Sequence, residues 1–393
     1  MKVHTVLGAV LPSDLGRTLT HEHLSMEFNH FYRKPPNQIA HRFQSGFTLE
    51  NVGYIRQYPY SSKFNIVMND DHSKHAVYND VGVFKELGGG TIVENTTIGL
   101  NRDIDFYKSV SEKTGVHVVA GTGHYIADVQ NDTILDIRTE DLYNLMLTEL
   151  TEGCIDNPIV KAGFVGEIAS VWPIKDFERR AIRAAGEIQA QLGCGISFHP
   201  HRDPKAPFEI IRLYTEAGGR VNKAVMSHLD RTIKLYYSLV YPTDFIQCFV
   251  YRRGGQARGY LVLSDHHRPH HHLEKCTLLE LEQLLEFSEL GTYCQLDLFG
   301  TEVSHYQLNI HMDMPSDAQR LNMIKALVNE GREERVLMSH DIHTKHRLID
   351  FGGHGYSHIF FNVLPKMLAK GFTQAQIDKI TIENPANWLS VTY

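Results

Sequence analysis

Cysteine is scarce in this chain. There are five in 393 residues (Cys154, Cys194, Cys248, Cys276 and Cys294), an odd number with no Cys-x-x-Cys pair. That argues against a disulfide framework and for a reduced, cytoplasmic setting. Positive charge is also short: 39 Lys and Arg stand against 46 Asp and Glu, a formal net charge of −7. No basic field for nucleic acid follows from such a balance. No uninterrupted apolar run is long enough to span a bilayer and no basic-then-apolar leader opens the chain, so no membrane partner is expected. There is no Gly-x-Ser-x-Gly elbow to signal acyl-enzyme chemistry. Gly88-Gly89-Gly90 is not followed by Gly-Lys-Ser/Thr, so it reads as a turn into a strand rather than a phosphate cradle.

Histidine, in contrast, is placed in a pattern. His21 and His23 sit one residue apart in Thr18-Leu19-Thr20-His21-Glu22-His23-Leu24. In a strand, alternate side chains share a face, so both imidazoles aim one way, about 6 to 7 Å apart along the backbone. That spacing suits one metal ion, although a chance His-x-His is common in a chain rich in histidine. The metal reading depends on partners at equivalent places downstream.

Eight short β-rich runs end in a polar residue: 18–24, 91–96, 116–121, 160–167, 195–199, 223–228, 292–298 and 335–341. Between most of them lie amphipathic stretches such as Lys175 to Leu192, Ser316 to Gly331 and His358 to Gly371, several closed by Gly. Strand then helix, eight times over, predicts an α/β fold: one (β/α)8 TIM barrel spanning residues 1–393. The length suits one such domain and is too short for two. The strand ends carry His21 and His23, Glu167, His199, His228 and Asp341. In a barrel these ends converge on one face, where active sites of this fold sit. Six nitrogen and oxygen donors are too many for one tetrahedral ion and suit two divalent ions.

These residues resemble the phosphotriesterase family of the amidohydrolase superfamily, and within it a vertebrate branch, over nearly the whole chain. The resemblance is carried by Thr18 to His23, Gly166-Glu167-Ile168, His199-Pro200, Ser227-His228-Leu229-Asp230-Arg231, Asp297-Leu298-Phe299-Gly300-Thr301-Glu302, His340-Asp341-Ile342-His343-Thr344 and Gly352 to His358. It implies that His21, His23 and Asp341 hold a first metal and His199 and His228 a second, with Glu167 bridging and Zn2+ as the expected ion. Members of the family differ in whether a carbamylated lysine or a glutamate bridges. The lysine on this strand, Lys161, lies six residues before Glu167, roughly 20 Å away at ~3.3 Å per residue, so Glu167 is the expected bridge. A hydroxide shared by the two ions is then the expected nucleophile, with Asp341 as general base.

The same resemblance implies hydrolysis of the amide of N-acetyltaurine and related N-acetyl amino acids, a small anionic N-acyl substrate. Phosphotriester or lactone hydrolysis, and a metal-binding scaffold without turnover, stand as alternatives, because fold and metals set reaction class while loops set substrate. Arg202 and Arg231 fit an anionic group or, alternatively, a surface salt bridge. Tyr125 fits a hydrogen-bond donor to a substrate oxygen or a packing residue. His201 and His343 keep the parity of a ligand two residues before each and read as groups supporting those ligands. A homo-oligomer is compatible with all of this. One stretch departs from the pattern: about 234–276, aromatic and arginine-rich, ending in His266-His267-Arg268-Pro269-His270-His271-His272. It reads as an irregular insertion before a sixth helix expected from Thr277, with a lid or extra metal site as the functional alternative.

Overall fold

Each of the eight runs forms a strand in the computed structural model, which describes residues 1–44, 46–232, 236–238, 247–250, 258–261, 278–303, 305–310 and 312–393. The strands are β1 (Arg17–Glu22), β2 (Gly89–Glu94), β3 (His117–Thr122), β4 (Phe164–Ala169), β5 (Ile196–His199), β6 (Ala224–Met226), β7 (Tyr293–Leu296) and β8 (Val336–Met338). They pair in chain order, all parallel, as one eight-stranded sheet. The strand residues are buried nearly throughout, which is why the runs read as continuous apolar stretches rather than alternating ones. The result is the expected (β/α)8 barrel.

Helices cover the sheet where the sequence has 3.6-residue periodicity. In the helix Asp176–Leu192, Phe177, Ala181, Ala184, Ala185 and Ile188 form the buried stripe. Its first turn is closed by Glu178, whose carboxylate accepts from the backbone N–H of Lys175 and Val171. Gly193 ends it in the left-handed conformation at φ 71°. One end of the barrel is plugged: Val3 of the N-terminal hairpin and Trp388 and Leu389 of the last helix form one core cluster with Val93, Val119, Phe164, Val225 and Leu337. The other end is left for chemistry.

The ladder does not close. β8 and β1 are the two edges of the sheet, joined by Asp341 N–H donating to His21 O (3.1 Å), His21 N–H to Ser339 Oγ (3.0 Å) and Thr20 Oγ1 to Met338 O (3.3 Å).

The chain divides into two units, 1–233 with 284–393, which holds the barrel, and 234–283. Within the second unit, Tyr236–Ser238 pairs antiparallel with Leu278–Glu280, and Gln247–Val250 with Arg258–Leu261. The rest of the expected irregular insertion at 234–276 lies outside the described residues. The helix expected from Thr277 runs instead over Glu282–Ser288. Leu278-Leu279-Glu280-Leu281 is too short an apolar run for periodicity to separate strand from helix.

Asp317 at the start of the helix Asp317–Asn329 gives a stability test away from the metal-type cluster. It accepts from Gly300 N–H (2.8 Å) and Arg320 Nη1 (3.1 Å) and lies 2.6 Å from His358 Nε2. Burial pushes its carboxyl up, but these donors outweigh burial and hold it well below the ordinary value of 3.8. A depressed carboxylate stabilises the fold above its unfolded pKa and loses that contribution as pH falls through and below it. Asp317→Asn is therefore expected to cost about 3 kcal/mol at neutral pH, with the deficit shrinking below about pH 4. Urea unfolding of metal-free protein at neutral and acid pH measures this, and an equal deficit at both pH values contradicts it.

Candidate metal centre

Five of the eight strand ends deliver the six predicted side chains to one volume. His21 lies in β1 with His23 one residue beyond it, Glu167 lies in β4 and His199 ends β5. His228 and Asp341 sit just past β6 and β8, with φ of 57° and 54°. Left-handed backbone at non-glycine residues is strained and persists where its surroundings over-determine it. Glu167 Oε1 lies 2.6 Å from His199 Nδ1, 3.0 Å from His228 Nε2 and 3.3 Å from His21 Nε2. Asp341 Oδ1 lies 3.1 Å from His23 Nε2 and 3.9 Å from His21 Nε2. His21, His23 and Asp341 form one group of donors within 4.8 Å of one another, and Glu167, His199 and His228 form another.

The residues fit a pair of cations. Burial pushes His21 down to about 3 and holds His199 and His228 well below the ordinary imidazole value, which favours rings with a lone pair to give. At His23 burial also lowers the value, but the hydrogen bond and charge of Asp341 outweigh it and raise the ring. Burial, then the charges of Asp341 and Asp297, push the Glu167 carboxyl well above its usual range. His21 Nε2 is buried with no hydrogen-bond partner. Buried imidazoles, two carboxylates within reach of them and an orphaned ring nitrogen make a donor set, and nitrogen with carboxylate oxygen suits a divalent ion such as zinc.

Asp297, directly after β7, belongs to one of the sequence motifs, but sequence reasoning gives it no role. It lies 2.8 Å from His228 Nδ1 and 3.3 Å from His21 Nδ1, accepts from the His228 backbone N–H at 3.1 Å and from Gln295 Nε2 at 2.8 Å. It therefore stands behind both rings and turns their Nε2 atoms toward Glu167. The signal was available: a carboxylate at the end of a strand, the rule that found Glu167. His23 is anchored likewise, by Thr96 Oγ1 at 2.9 Å from its Nδ1, with Thr96 donating to Glu94. Asp297→Asn is expected to weaken metal binding by about 10- to 100-fold. Competition with a chelator measures it, and a change under about twofold counts against this role.

Another group, Glu149 with Cys154 and Asp156, is already filled by a cation. Arg102 donates to Glu149 at 2.8 Å and to Asp156 at 2.6 Å.

The two donor groups open into a cavity. Tyr125, Arg202 and Arg231 all line it, beside apolar Met26, Phe28 and Leu298. Tyr125 Oη lies 3.3 Å from His199 Nδ1. Arg202 Nε and Nη2 both donate to Tyr306 Oη, at 2.8 and 2.5 Å. Arg231 Nη2 donates to Pro200 O at 2.8 Å, while its buried Nε has no hydrogen-bond partner. Neither guanidinium is paired with a carboxylate among the described residues, so the surface-salt-bridge alternative does not apply to them there. His343 supports the site as expected, with Nδ1 3.3 Å from Asp341 Oδ1 and Nε2 3.0 Å from Tyr60 Oη. His201 does not: its Nδ1 accepts from Asp203 N–H at 3.0 Å. His201 lies past the end of β5 at His199, and the turn at Asp203 takes up its Nδ1 instead.

Comparison with known proteins agrees with this architecture. The model of the phosphotriesterase family matches residues 1–251 and 269–389. Phosphotriesterase-related protein of Drosophila mojavensis is 47% identical over 390 residues, covering 99% of each chain, and that of Drosophila grimshawi is 46% identical over 390 residues with the same coverage. Among solved structures, a resiniferatoxin-binding protein from Rhodobacter sphaeroides superimposes with a TM-score of 0.83 at 23% identity, covering 99% of this chain and 95% of that one. The phosphotriesterase homology protein of Escherichia coli, complexed with phosphate in its active site, gives 0.68 at 22% identity, covering 96% and 99%. At these identities the two structures speak for the fold. No helix among the described residues is long and apolar enough to cross a membrane.

Proposed function

The chain belongs to the phosphotriesterase family, and from that premise we propose that it is a two-metal hydrolase of small anionic N-acylated substrates, N-acetyltaurine and related N-acetyl amino acids. The carrying observation is the pair of guanidiniums, Arg202 and Arg231, facing the cavity beside the donor cluster with no carboxylate partner among the described residues. A buried, unneutralised cation is costly until an anion arrives, and a sulfonate or carboxylate at the far end of the substrate supplies one. The apolar wall of Met26, Phe28 and Leu298 suits a small acyl group.

His21, His23 and Asp341 would hold one divalent ion and His199 and His228 the other, with Glu167 between them. Bound there, the ions would lower the pKa of a water and polarise the scissile carbonyl. Asp341 takes the proton of the attacking water and returns it to the departing amine nitrogen. Arg202 and Arg231 fix the anionic end of the substrate and so its carbonyl, and Tyr125 lends its hydroxyl to the carbonyl oxygen. Phe28 and Leu298 keep bulk water off the reacting groups.

Zinc-loaded protein assayed for acetate release from N-acetyltaurine, beside a phosphotriester and a lactone, tests the reading. Turnover of the amide above the other two is expected, and turnover of a triester or lactone alone refutes it. Arg202→Ala is expected to raise KM about tenfold or more with kcat nearly unchanged, because a remote anchor binds ground and transition state alike. A neutral amide of similar size should lose this sensitivity. An equal KM for the wild type and the variant would remove Arg202 from the anion site.

A further inference from the structure

We infer that Glu22, the residue between the two metal-type histidines, is a positioning residue that closes the open seam of the barrel and thereby sets Asp341 against His21 and His23. The seam lies between β1 and β8, the two edges of the sheet that no ladder joins. His21 and His23 come from one edge and Asp341 from just past the other, so a single ion held by all three must be held across that gap. The Glu22 side chain crosses it. Its Oε1 accepts from Ser339 Oγ (2.7 Å) and His340 N–H (2.9 Å) and lies 2.8 Å from His340 Nδ1. Its Oε2 accepts from Ile342 N–H (3.0 Å). The carboxylate thus grips the residues on both sides of Asp341.

Both ends of the grip are rigid. Glu22 is fully buried, as are Ser339 and His340, and His340 Nε2 in turn accepts from Ile359 N–H at 3.0 Å. Between the gripped residues, Asp341 holds φ 54°, a conformation that needs enforcement. Arg347 Nη1 donates to Asp341 O at 2.6 Å and adds to it from the other side. A carboxylate suits such a clamp because both of its oxygens only accept, so it can take donors from several directions at once. Glutamine keeps the shape but turns one oxygen into a donor, which would then face either Ile342 N–H or the Ser339 and His340 donors.

The inference rests on the two-metal reading of the site, and its test separates the two. Wild type, Glu22→Gln and a control, Asp80→Asn, are compared in metal-free form and on titration with zinc. Asp80 is also a fully buried carboxylate that accepts from backbone N–H groups, those of Ile349 and Tyr356, but it grips neither edge of the seam. Glu22→Gln is expected to lose one of two tightly bound ions, or to bind it at least about tenfold more weakly. Its kcat should fall while KM stays within about twofold. Asp80→Asn should lose stability while binding both ions as wild type does. Two ions bound to Glu22→Gln at wild-type affinity, with wild-type kcat, overturn the inference. A like loss of metal affinity in Asp80→Asn does the same, since it marks general loosening.

Wild-type protein that binds no divalent ion would sink the two-metal reading instead. The seam is then decided by amide hydrogen exchange in metal-free wild type, as it is if Glu22→Gln fails to fold. Protection at His340 and Ile342 equal to that of the ladder amides of β7 supports the clamp. Free exchange there overturns it.

Discussion

Asp341→Asn is expected to lower kcat by about a thousandfold or more while leaving KM within a few fold. Two losses combine. The side chain stands 3.1 Å from His23 Nε2 and 3.9 Å from His21 Nε2, so an amide there gives up one negative charge of the first ion's donor set. It also removes the proton acceptor, worth about 10²- to 10⁴-fold where a general base acts. Neither loss touches Arg202 or Arg231, which is why binding of the substrate's anionic end should survive. Steady-state kinetics on the preferred substrate, with metal content measured on the same sample, checks this. Near-normal turnover with both ions present would remove Asp341 from the mechanism.

Glu167→Gln is expected to abolish retention of the metal pair and, with it, activity. Glu167 Oε1 is within 3.3 Å of nitrogens from three histidines that belong to both donor groups, so its loss is felt on both sides at once. The metal-free protein should not suffer in the same way. Burial and then the charges of Asp341 and Asp297 push this carboxyl well above its ordinary value of 4.5. A carboxyl raised on folding favours the fold at low pH and loses that contribution as pH rises through its folded value. Removing its charge therefore relieves a cost at neutral and higher pH. Wild-type protein should gain about 4 kcal/mol at a free zinc concentration a thousand times Kd, whereas the variant should gain almost nothing. Thermal unfolding with and without zinc measures the difference, and an equal gain in both proteins would deny Glu167 a bridging place.

Much of this site was legible because it lies at strand ends. The eight β-rich runs and their polar last residues located His21, His23, Glu167, His199, His228 and Asp341 without a structure. The errors arose where local pattern lost its physical basis. Strand parity places His201 beside His199, but past the end of β5 the turn at Asp203 takes up its Nδ1. The helix expected from Thr277 begins later because a four-residue apolar run suits either kind of element. Asp297 stands at the end of a strand run as Glu167 does, but its role was not readable, because its work is done behind the histidines, on their Nδ1 atoms, and strand spacing says nothing about which ring nitrogen faces which neighbour.

The amino-acid sequence by itself determined the order of strands and helices, the chemical kinds of the donors and the end of the barrel they occupy, since periodicity and strand polarity are local properties. Only the tertiary structure decided how those donors meet. Alternation counted from the core residues Phe164 and Val225 would turn Gly166 and Ser227 inward, yet Glu167 and His228 are the residues that reach the cluster. They do so through a register irregularity between Val165 and Ile168 in β4 and left-handed backbone at His228. Gly166 allows the first of these: at φ 142°, a Cβ there would lie 2.7 Å from Ser197 O. The gap between β1 and β8, and the buried carboxylate of Glu22 that spans it, are likewise invisible in the sequence. Contacts between residues over three hundred positions apart depend on closure of the whole sheet, and no local rule of spacing contains that closure.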